Sequence, residues 1–458
     1  MITTVNPATG QQVAAFEPHT AEEIDDILTS AAQAQKQWRT VPLTERVGYL
    51  TKTAQVLRER KEKYAQMITL EMGKPITEAR SEIEKCALTL DYYAEHAATY
   101  LAAESIETQA EESGVVFEPL GVVLAIMPWN YPFWQFFRFA APALAAGNGA
   151  ILKHANNVPQ AALAAEEILR DAGVPRGLFS TVLVDSSKVA GIIADDRIAA
   201  VTLTGSTEVG AIVAGQAGQS LKKQVLELGG SDPFLVLADA DVRKAAEVAV
   251  KARFTNGGQS CVNSKRFIVH DSVADEFVKL FTEGVAALKV GDPTEDTTQI
   301  GPMARANLRA DIDDQVQRSI AGGAELKLGG KLLEGDGFYY APTVLDHVQP
   351  GHAAFDEETF GPVAAIIRVD SIQQAVRLAN QTEFGLAATV FSESHETTRQ
   401  VVAQLEAGAV FVNGMVASDP RLPFGGIKKS GYGRELSSYG IREFTNIKTV
   451  WYGPTSKA

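Results

Sequence analysis

The stretch IAAVTLTGSTEVG, residues 198–210, runs from an apolar strand pattern through a Gly-Ser turn into a helical pattern. Similar apolar runs lie around it and alternate with amphipathic segments at 160–171 and 208–217. The runs are GVVLAIMP (121–128), GAILKHA (149–155), STVLV (180–184), QVLEL (224–228) and PFLVL (233–237). This alternation predicts βαβ units around a mostly parallel sheet, so the predicted fold class is α/β.

The segments on either side extend this plan. Before the first strand, helical periodicity predicts a mainly α block with helices over 20–34, 43–60 and 77–101, the first opened by a capping pattern at Thr20 and Glu23. After it, a second series predicts helix 240–254, strand KRFIVH (265–270), helix 274–288, and strands within 360–369, 388–391 and 408–414. We therefore expect a second α/β domain.

Length and charge narrow the function classes. At roughly 150 residues per folding unit, 458 residues suggest about three units. Apolar residues make up 45% and charged residues 21%, which excludes wholesale disorder. The net charge of -14, with acids and bases interspersed, repels phosphate backbones and anionic lipids. We expect neither nucleic-acid binding nor membrane binding.

Cysteine usage and the N-terminus predict a cytoplasmic protein without a structural metal. Cys86 and Cys261 are far apart and belong to no Cys-x-x-Cys or Cys/His cluster, as expected in a reducing compartment. The first residues lack the basic and apolar regions of a signal peptide. The span 118–153 has Arg138 as its one internal charge, but its prolines and asparagines favour buried core over a membrane helix.

Cys261 lies in the segment FTNGGQSCVNSKRF (254–267), where two glycines precede it in a polar loop and a strand follows. Such a loop can present a thiolate to a cleft, and its backbone N–H groups can stabilise an oxyanion. The alternative is a buried cysteine that serves as a small apolar residue. Cys86 sits in a helical pattern without this context, and we interpret it as core.

Three further positions suggest chemistry, each with a structural alternative. Glu227 lies inside the apolar run QVLEL, just before two glycines, and is a candidate general base, or else a surface-facing strand residue. Gly205 and Ser206 open a helix that can receive a diphosphate, or form an ordinary βα turn without the full G-x-G-x-x-G pattern. Asn130, between two prolines, can donate to an oxyanion or simply shape a turn.

Arg138 is a charged residue in the apolar segment PWNYPFWQFFRF (128–139), where it shares a helical face with Trp134. A guanidinium in such surroundings requires an anion. Either an internal carboxylate provides it, in a structural ion pair, or an acidic substrate does.

Together these segments resemble the aldehyde dehydrogenase superfamily over nearly the whole chain, from NPATG at 6–10 to the GRE and KTV segments near the C-terminus. The matching motifs, in family order, are MPWNYP (127–132), LK within ILKHA (151–155), TGSTEVG (204–210), LELGG (226–230), NGGQSC (256–261), EETFGPV (357–363) and PFGGIKKSGYGRE (423–435). Within it, WNYPFWQFFR, LKHANNVP and LELGGSDPF are similar to bacterial succinate semialdehyde dehydrogenases.

The resemblance implies a mechanism. The Cys261 thiolate attacks the aldehyde to give a thiohemiacetal, while Asn130 and the Cys261 backbone N–H stabilise the oxyanion. Hydride then passes to the nicotinamide, and Glu227 activates water to hydrolyse the thioester. The implied product of succinate semialdehyde is succinate.

The resemblance also implies cofactor contacts. Trp129 and Lys153 would lie toward the adenosine, Gly205 and Ser206 at the diphosphate, and Glu358 and Phe360 at the nicotinamide ribose. Asn156 stands where NAD-preferring relatives often hold a Glu that repels a 2′-phosphate. Because Lys153 is near it in sequence, we predict NADP as the preferred cofactor, with NAD also accepted.

For the substrate, the resemblance assigns Arg138 to the distal carboxylate, with Trp134, Ser260 and Ser418 as further contacts. Two positions depart from the pattern. Phe139 replaces a lysine of many relatives, and Thr255 replaces a second carboxylate-binding arginine of some animal enzymes.

Other functions remain open. The chemistry is the same if the substrate is glutarate semialdehyde or an aliphatic or aromatic aldehyde, and Arg138 would discriminate between these. A catalytically silent protein is disfavoured because Cys261, Glu227 and Asn130 are all present. Transfer of the thioester to coenzyme A is disfavoured because Glu227 is retained.

The implied fold has a Rossmann-type cofactor domain, an α/β catalytic domain and a small β oligomerisation arm. We place the cofactor domain at 1–97 and 120–229, the catalytic domain at 230–429, and the arm at 98–119 and 430–458. The unpaired strand edges of such an arm predict a homodimer or homotetramer.

Overall fold

The computed structural model describes residues 1–454, which form fifteen α-helices and eighteen strands. The helices are α1 (Ala21–Trp38), α2 (Leu43–Glu59), α3 (Lys61–Met72), α4 (Ile76–Tyr100), α5 (Trp134–Ala146), α6 (Pro159–Asp171), α7 (Val189–Ala194), α8 (Thr207–Gln219), α9 (Val242–Phe254), α10 (Asp271–Ala286), α11 (Ala306–Ala321), α12 (Ala353–Asp356), α13 (Ile372–Asn380), α14 (His395–Val402) and α15 (Ser437–Glu443).

The strands belong to four sheets. They are β1 (Ile2–Val5), β2 (Gln12–Phe16), β3 (Glu104–Ser105), β4 (Glu112–Pro119), β5 (Val122–Met127), β6 (Gly149–His154), β7 (Phe179–Thr181), β8 (Ile198–Thr204), β9 (Lys223–Glu227), β10 (Asp232–Val236), β11 (Ser264–His270), β12 (Glu325–Leu328), β13 (Thr343–Asp346), β14 (Val363–Val369), β15 (Ala387–Phe391), β16 (Ala409–Val412), β17 (Gly431–Tyr432) and β18 (Thr445–Tyr452).

The N-terminal block is helical, as predicted. At α1, the Thr20 side chain accepts from the Glu23 backbone N–H and the Glu23 carboxylate accepts from the Thr20 N–H, so the capping box is present. The sequence analysis did not predict α3, which follows α2 with only Arg60 between them. It buries Tyr64, Ile68 and Met72 against the core that it shares with α4 and α5.

The first large sheet has the order β17-β9-β8-β5-β6-β7, with five parallel strands and the short antiparallel β17 at one edge. The predicted runs from 121 to 228 supply the parallel strands, although the run at 180–184 gives only Phe179–Thr181. Both faces are covered, which explains why the central strands β5 and β8 are mainly apolar.

The second large sheet has the order β12-β13-β14-β11-β10-β15-β16 and is parallel except for β12. Two apolar cores lie on its two faces, one formed with α11 and α13 and the other with α9 and α10. The loop that carries Cys261 enters β11, in the interior of this sheet. The predicted α/β class with two parallel sheets is therefore confirmed.

A third sheet, of order β18-β4-β3, forms a small antiparallel arm. Its strands lie within 104–119 and 445–452 of the arm that we assigned, whereas Gly431–Tyr432 pairs with β9 of the first sheet, Ser437–Glu443 form α15 and residues 98–100 end α4. The last positions of the assigned arm, 455–458, lie outside the described residues. The exact domain bounds stay a prediction.

The apolar span between Glu118 and Lys153 forms β5, α5 and β6. Every residue of α5 is buried, including Arg138 and the internal Pro142. Within residues 1–454, none of the helices has the length and apolar character needed to cross a membrane.

Candidate active site

A cavity of about 240 Å³ lies between the two large sheets, at the carboxyl ends of β5, β8 and β9. Ligands of open α/β sheets bind at this edge. Most of its lining residues follow the ends of these strands or belong to the loops around Cys261 and Glu358. The lining residues are Pro128, Trp129, Asn130, Gln135, Thr204, Gly205, Ser206, Leu228, Gly229, Cys261, Arg305, Leu308, Glu358 and Phe360.

The loop before Cys261 has an unusual backbone that requires its glycines. Asn256, Gly257 and Gly258 all have positive φ, at 57°, 59° and 73°. A Cβ at position 258 would overlap the backbone of Gly361. Glycine therefore lets the loop fold tightly and places Cys261 on the cavity wall, as the sequence predicts.

The Cys261 thiol is partly buried, and burial raises its pKa to about 11. The positive charges of Lys265 and Arg138 counteract this effect only in part. The resting group at neutral pH is therefore a thiol, and its reaction as a nucleophile requires loss of a proton to a base.

Asn130 reaches the same loop. Its Nδ2 donates to the Gln259 carbonyl at 3.1 Å, and Asn256 Nδ2 donates to the Asn130 carbonyl at 2.9 Å. Asn130 and Cys261 share the cavity wall, so the structure brings these two predicted residues together. One N–H of the Asn130 amide therefore donates to backbone, which leaves its second N–H for another acceptor.

Glu227 ends β9 and is 2% exposed. Neither carboxylate oxygen has a hydrogen-bond partner among residues 1–454, and Oε1 lies where a Cβ on Gly425 would be only 2.6 Å away. Its neighbours Leu228 and Gly229 line the cavity, whereas the Glu227 side chain does not. Burial raises the pKa of Glu227 well above its ordinary value, and the Glu435 carboxylate raises it further.

Arg138 does not line the cavity. It is 2% exposed and forms an ion pair with Glu435, and its Nη2 donates to Thr204 Oγ1 at 3.4 Å. Glu435 is itself 5% exposed, so the pair is internal. The sequence left open whether Arg138 pairs with an internal carboxylate or with an acidic substrate. In the resting structure its partner is the internal carboxylate of Glu435. The role of Arg138 in substrate binding stays a prediction.

Glu358, which also lines the cavity, is held by two hydrogen bonds. Its Oε1 accepts from Lys265 Nζ at 2.7 Å and from the Gly230 N–H at 3.1 Å. Lys265 is fully buried and also donates to the Gly230 and Cys261 carbonyls. A Cβ on Gly229 would lie 2.5 Å from Glu358 Oε2, which explains why glycine stands at this position.

The turn after β8 presents a helix N-terminus to the cavity. Ser206 is the N-cap of α8, and its side chain accepts from the Val209 N–H at 3.4 Å. The helix packs so closely on β9 that a Cβ on Gly210 would collide with Leu228. The first-turn N–H groups and the helix dipole therefore favour an anion beside Gly205 and Ser206.

Aromatic rings and a short polar pair complete the predicted cofactor contacts. Trp129 and Phe360 meet edge to face, with ring centroids 5.7 Å apart, at the cavity wall. Lys153 lies at the end of β6, outside the lining of this cavity, and donates to Asn156 Oδ1 at 3.1 Å. Burial lowers the pKa of Lys153, and Asn156 is exposed.

The other predicted substrate residues lie in two places. Ser260 adjoins Cys261 and is buried beside the Tyr131 hydroxyl. Lys85 contacts both Trp134, which is buried, and Ser418. Its Nζ lies 4.3 Å from the centroid of the Trp134 ring and donates to Ser418 Oγ at 2.6 Å. None of the three lines the cavity described above.

Phe139 and Thr255, the two positions that depart from the family pattern, both have structural explanations. Phe139 is buried and packs edge to face on Phe444, with centroids 5.5 Å apart, so it serves the core. Thr255 caps the end of α9, where its hydroxyl donates to the Lys251 carbonyl at 2.8 Å.

Sequence analysis did not identify four charged residues near the site, which are Lys85, Lys265, Arg305 and Glu435. Lys265 and Glu435 lie inside motifs that we quoted, SCVNSKRF and GYGRE. A search of these motifs for residues of opposite charge that could form ion pairs could therefore have found them. Lys85 has no such signal, because it sits in an ordinary amphipathic helix pattern.

A thiol in a polar glycine loop, facing a helix N-terminus across a cavity between two α/β domains, defines a nucleophilic dehydrogenase-type site. Comparison with known proteins agrees with this class. The model of the aldehyde dehydrogenase family matches residues 1–450, and the chain belongs to that family. The resemblance inferred from the sequence motifs is thereby confirmed.

Among its relatives, a probable succinate-semialdehyde dehydrogenase [NADP(+)] of Synechocystis is 51% identical, over 98% of this chain and 99% of the relative. The succinate semialdehyde dehydrogenase [NAD(P)+] Sad of Escherichia coli is 48% identical, over 98% and 97%. The crystal structure of succinic semialdehyde dehydrogenase from Streptococcus pyogenes in complex with NADP+ is 38% identical and covers 99% of this chain and 100% of that one, with a TM-score of 0.96.

Proposed function

We propose that this chain oxidises succinate semialdehyde to succinate with NADP as its preferred cofactor and NAD as an accepted one. The observation that carries the proposal is the position of Cys261, on a cavity wall that also holds Asn130, the α8 N-terminus and Glu358. The names of relatives at 48–51% identity support the same substrate.

The residues around the cavity fit a nicotinamide dinucleotide. The α8 N-terminus at Ser206 suits a diphosphate, and the Glu358 carboxylate suits ribose hydroxyls because Lys265 and the Gly230 N–H fix only one of its oxygens. When bound, the nicotinamide supplies the acceptor for the hydride that leaves the substrate carbon.

In this proposal the Cys261 thiol gives its proton to a water molecule. Its sulfur then bonds to the aldehyde carbon while the C=O π electrons move to the oxygen, giving a thiohemiacetal oxyanion. The Cys261 N–H and Asn130 Nδ2 donate to the oxyanion, and Nδ2 has a second N–H beside the one that it donates to the Gln259 carbonyl. After hydride loss the same sulfur holds the acyl group as a thioester.

Glu227 then takes a proton from a water molecule that attacks the thioester carbon, and the Cys261 thiolate leaves. Its resting carboxylate faces Gly425 and not the cavity, so it must rotate to act. That rotation breaks no hydrogen bond, because neither oxygen has a partner within residues 1–454. Its raised pKa also suits a group that must accept a proton near neutral pH.

The preference for NADP rests on Asn156 and Lys153. Asn156 brings no negative charge near the adenosine ribose, and its Oδ1 holds the Lys153 ammonium, which would attract a 2′-phosphate. Relatives named for NADP(+) and for NAD(P)+ support this reading.

An absorbance assay of nicotinamide reduction tests the proposal. Purified protein is given succinate semialdehyde or butyraldehyde, each with NADP or NAD. We expect a higher kcat/KM for the acidic aldehyde and a lower KM for NADP. Equal use of both aldehydes would leave only a general aldehyde dehydrogenase.

We also propose that the chain forms a homodimer or homotetramer through the arm. Strand β18 is an edge of its sheet, and Ile447, Trp451 and Tyr452 on it are more than half exposed. Multi-angle light scattering at micromolar concentration checks this, and a monomer at all concentrations would contradict it. Because Cys86 and Cys261 are both free thiols, we propose a reducing cytoplasm as the location.

A further inference from the structure

Lys85 is a half-buried lysine on α4 that no sequence motif marks. Its Nζ donates to Ser418 Oγ at 2.6 Å and lies 4.3 Å from the centroid of the Trp134 ring. The chain thus places an ammonium group between a hydroxyl and an aromatic face, a set of groups that can hold a carboxylate at the end of a short apolar chain.

The Lys85 charge has no carboxylate within ion-pair distance in the described part of the chain. The acidic groups that influence it are Glu82 and Asp419, and both are engaged. Glu82 forms a buried ion pair with Lys74, and Asp419 forms an ion pair with Arg421 at 2.5 Å. Neither needs Lys85 as a partner.

Arg138, which also lies near the Trp134 ring, has a carboxylate partner, unlike Lys85. Its guanidinium carbon is 6.0 Å from the Trp134 ring centroid, but its charge is matched by the buried carboxylate of Glu435. Burial and, to a smaller extent, the positive charge of Arg138 lower the pKa of Lys85 to about 8. Lys85 is therefore still mostly protonated at neutral pH and would gain most from an added anion.

Helix α4 connects Lys85 to the catalytic loop. Glu78 Oε2 accepts from the Asn256 N–H at 2.7 Å, and Asn256 belongs to the turn before Cys261. Lys85 follows Glu78 by seven residues, two turns along the same face, or roughly 10 Å of helix. On α5, Gln135 lines the Cys261 cavity and directly follows Trp134.

We propose that Lys85 is a cation that binds the distal carboxylate of the substrate, with Ser418 donating a hydrogen bond and Trp134 packing on the chain. This inference rests on the proposed function, since it assumes an aldehyde with a distal carboxylate. It makes Lys85 a determinant of specificity and leaves the chemistry at Cys261 unchanged.

The test compares wild type with Lys85→Met, which keeps the length and removes the charge, and with Lys85→Arg. Succinate semialdehyde and butyraldehyde have chains of equal length, and only the first carries a carboxylate. We expect Lys85→Met to lower kcat/KM for the semialdehyde by roughly 10- to 100-fold, mainly through KM, because a charged hydrogen bond of that strength is lost. Butyraldehyde should change less than about twofold, and Lys85→Arg should retain part of the preference.

The matched control is Lys52→Met. Lys52 also lies over an aromatic ring, 5.2 Å from the Tyr49 centroid, but it is exposed and outside the site. A second readout needs no turnover: succinate should protect Cys261 from iodoacetamide in wild type and in Lys52→Met, and should fail to protect it in Lys85→Met.

The outcomes separate the two proposals. If wild type oxidises neither aldehyde, or both equally well, the proposed substrate is wrong. If wild type prefers the semialdehyde and Lys85→Met keeps that preference, Lys85 is not the carboxylate-binding residue. Equal losses for both aldehydes, with an unchanged thermal melt and unaltered succinate protection, would also overturn the role of Lys85.

Discussion

Two carboxylates beside the cavity, Glu358 and Glu227, are held in opposite ways. Glu358 accepts from Lys265 and from the Gly230 N–H, so its position is fixed. Glu227 is buried, has no hydrogen-bond partner among the residues described, and lies near a second buried carboxylate, Glu435. Both were predicted from sequence as functional, and the sequence could not distinguish their environments.

The difference matches two different duties. A group that binds ribose hydroxyls loses less entropy if it is already oriented. A group that must take up a proton needs a destabilised anion and freedom to move toward the water. Burial next to the like charge of Glu435 destabilises the Glu227 anion, and the absence of hydrogen bonds to the described residues leaves the Glu227 side chain free to move.

The largest effect should come from removing the Cys261 thiol, because both carboxylates support the reaction at this group. We expect Cys261→Ala to lower kcat at least about 10³-fold, because the covalent route is lost. Cys86→Ala is the matched control, since it removes the buried thiol on α4; it should cost roughly 1 kcal/mol of stability and leave kcat within twofold. Steady-state rates and thermal melts of both variants decide this. Activity in Cys261→Ala would remove the basis for comparing the two carboxylates.

The next effect concerns Glu227 alone. In Glu227→Gln, sulfur attack and hydride loss should still occur, but hydrolysis of the thioester should slow by about 10²- to 10⁴-fold. Stopped-flow absorbance should therefore show a burst of nicotinamide reduction near one equivalent per site, followed by a very slow steady state. Loss of the burst together with turnover would mean that Glu227 acts before hydride transfer, for example by deprotonating Cys261.

Glu358 should behave differently. Glu358→Gln keeps the shape but removes the charge that Lys265 and the ribose share, so we expect the KM for NADP to rise roughly 10- to 100-fold. The burst should become slower and should not disappear. Isothermal titration with NADP measures the loss directly. An unchanged Kd and a lost steady state would give Glu358 the role proposed for Glu227.

Sequence reasoning worked where the signal is local. The run 198–204 and the Gly-Ser turn after it became β8 and the start of α8 as predicted, because strand length, turn chemistry and helix capping all depend on neighbouring residues. The loop around Cys261 was predicted for the same reason: its two glycines are needed for backbone with positive φ. The helix 61–72 was missed because neither a proline nor a capping residue separates it from α2.

Partners distant in sequence were beyond such reasoning. Arg138 needs an anion, which the sequence implies, but the partner Glu435 lies 297 positions away and only the fold brings them together. Likewise, Ser418 and Trp134 were predicted as substrate contacts, whereas the lysine that touches both comes from a helix that carried no motif. The side-chain direction of Glu227 also depends on how Gly425 approaches β9.

The smallest expected effect concerns the pKa of Glu227, which its charged neighbours change. The Glu435 carboxylate raises the pKa of Glu227, and Arg138 lowers it. In Glu435→Gln the repulsion disappears and Arg138 loses its own partner, so both changes lower the pKa of Glu227. Because the deprotonated carboxylate is the active base, the acid limb of the kcat profile should move to lower pH, by about one unit.

Glu443→Gln is the control for that shift, since Glu443 acts on Glu227 in the same direction but more weakly, and it forms an ion pair with Lys223 at 3.3 Å. Its acid limb should move the same way by less. Glu435→Gln should also melt at a lower temperature, because Arg138 is left buried without a carboxylate. An acid limb that stays in place while the melting temperature falls would show that the Arg138–Glu435 pair supports the fold alone, and that the titrating group in turnover is not Glu227.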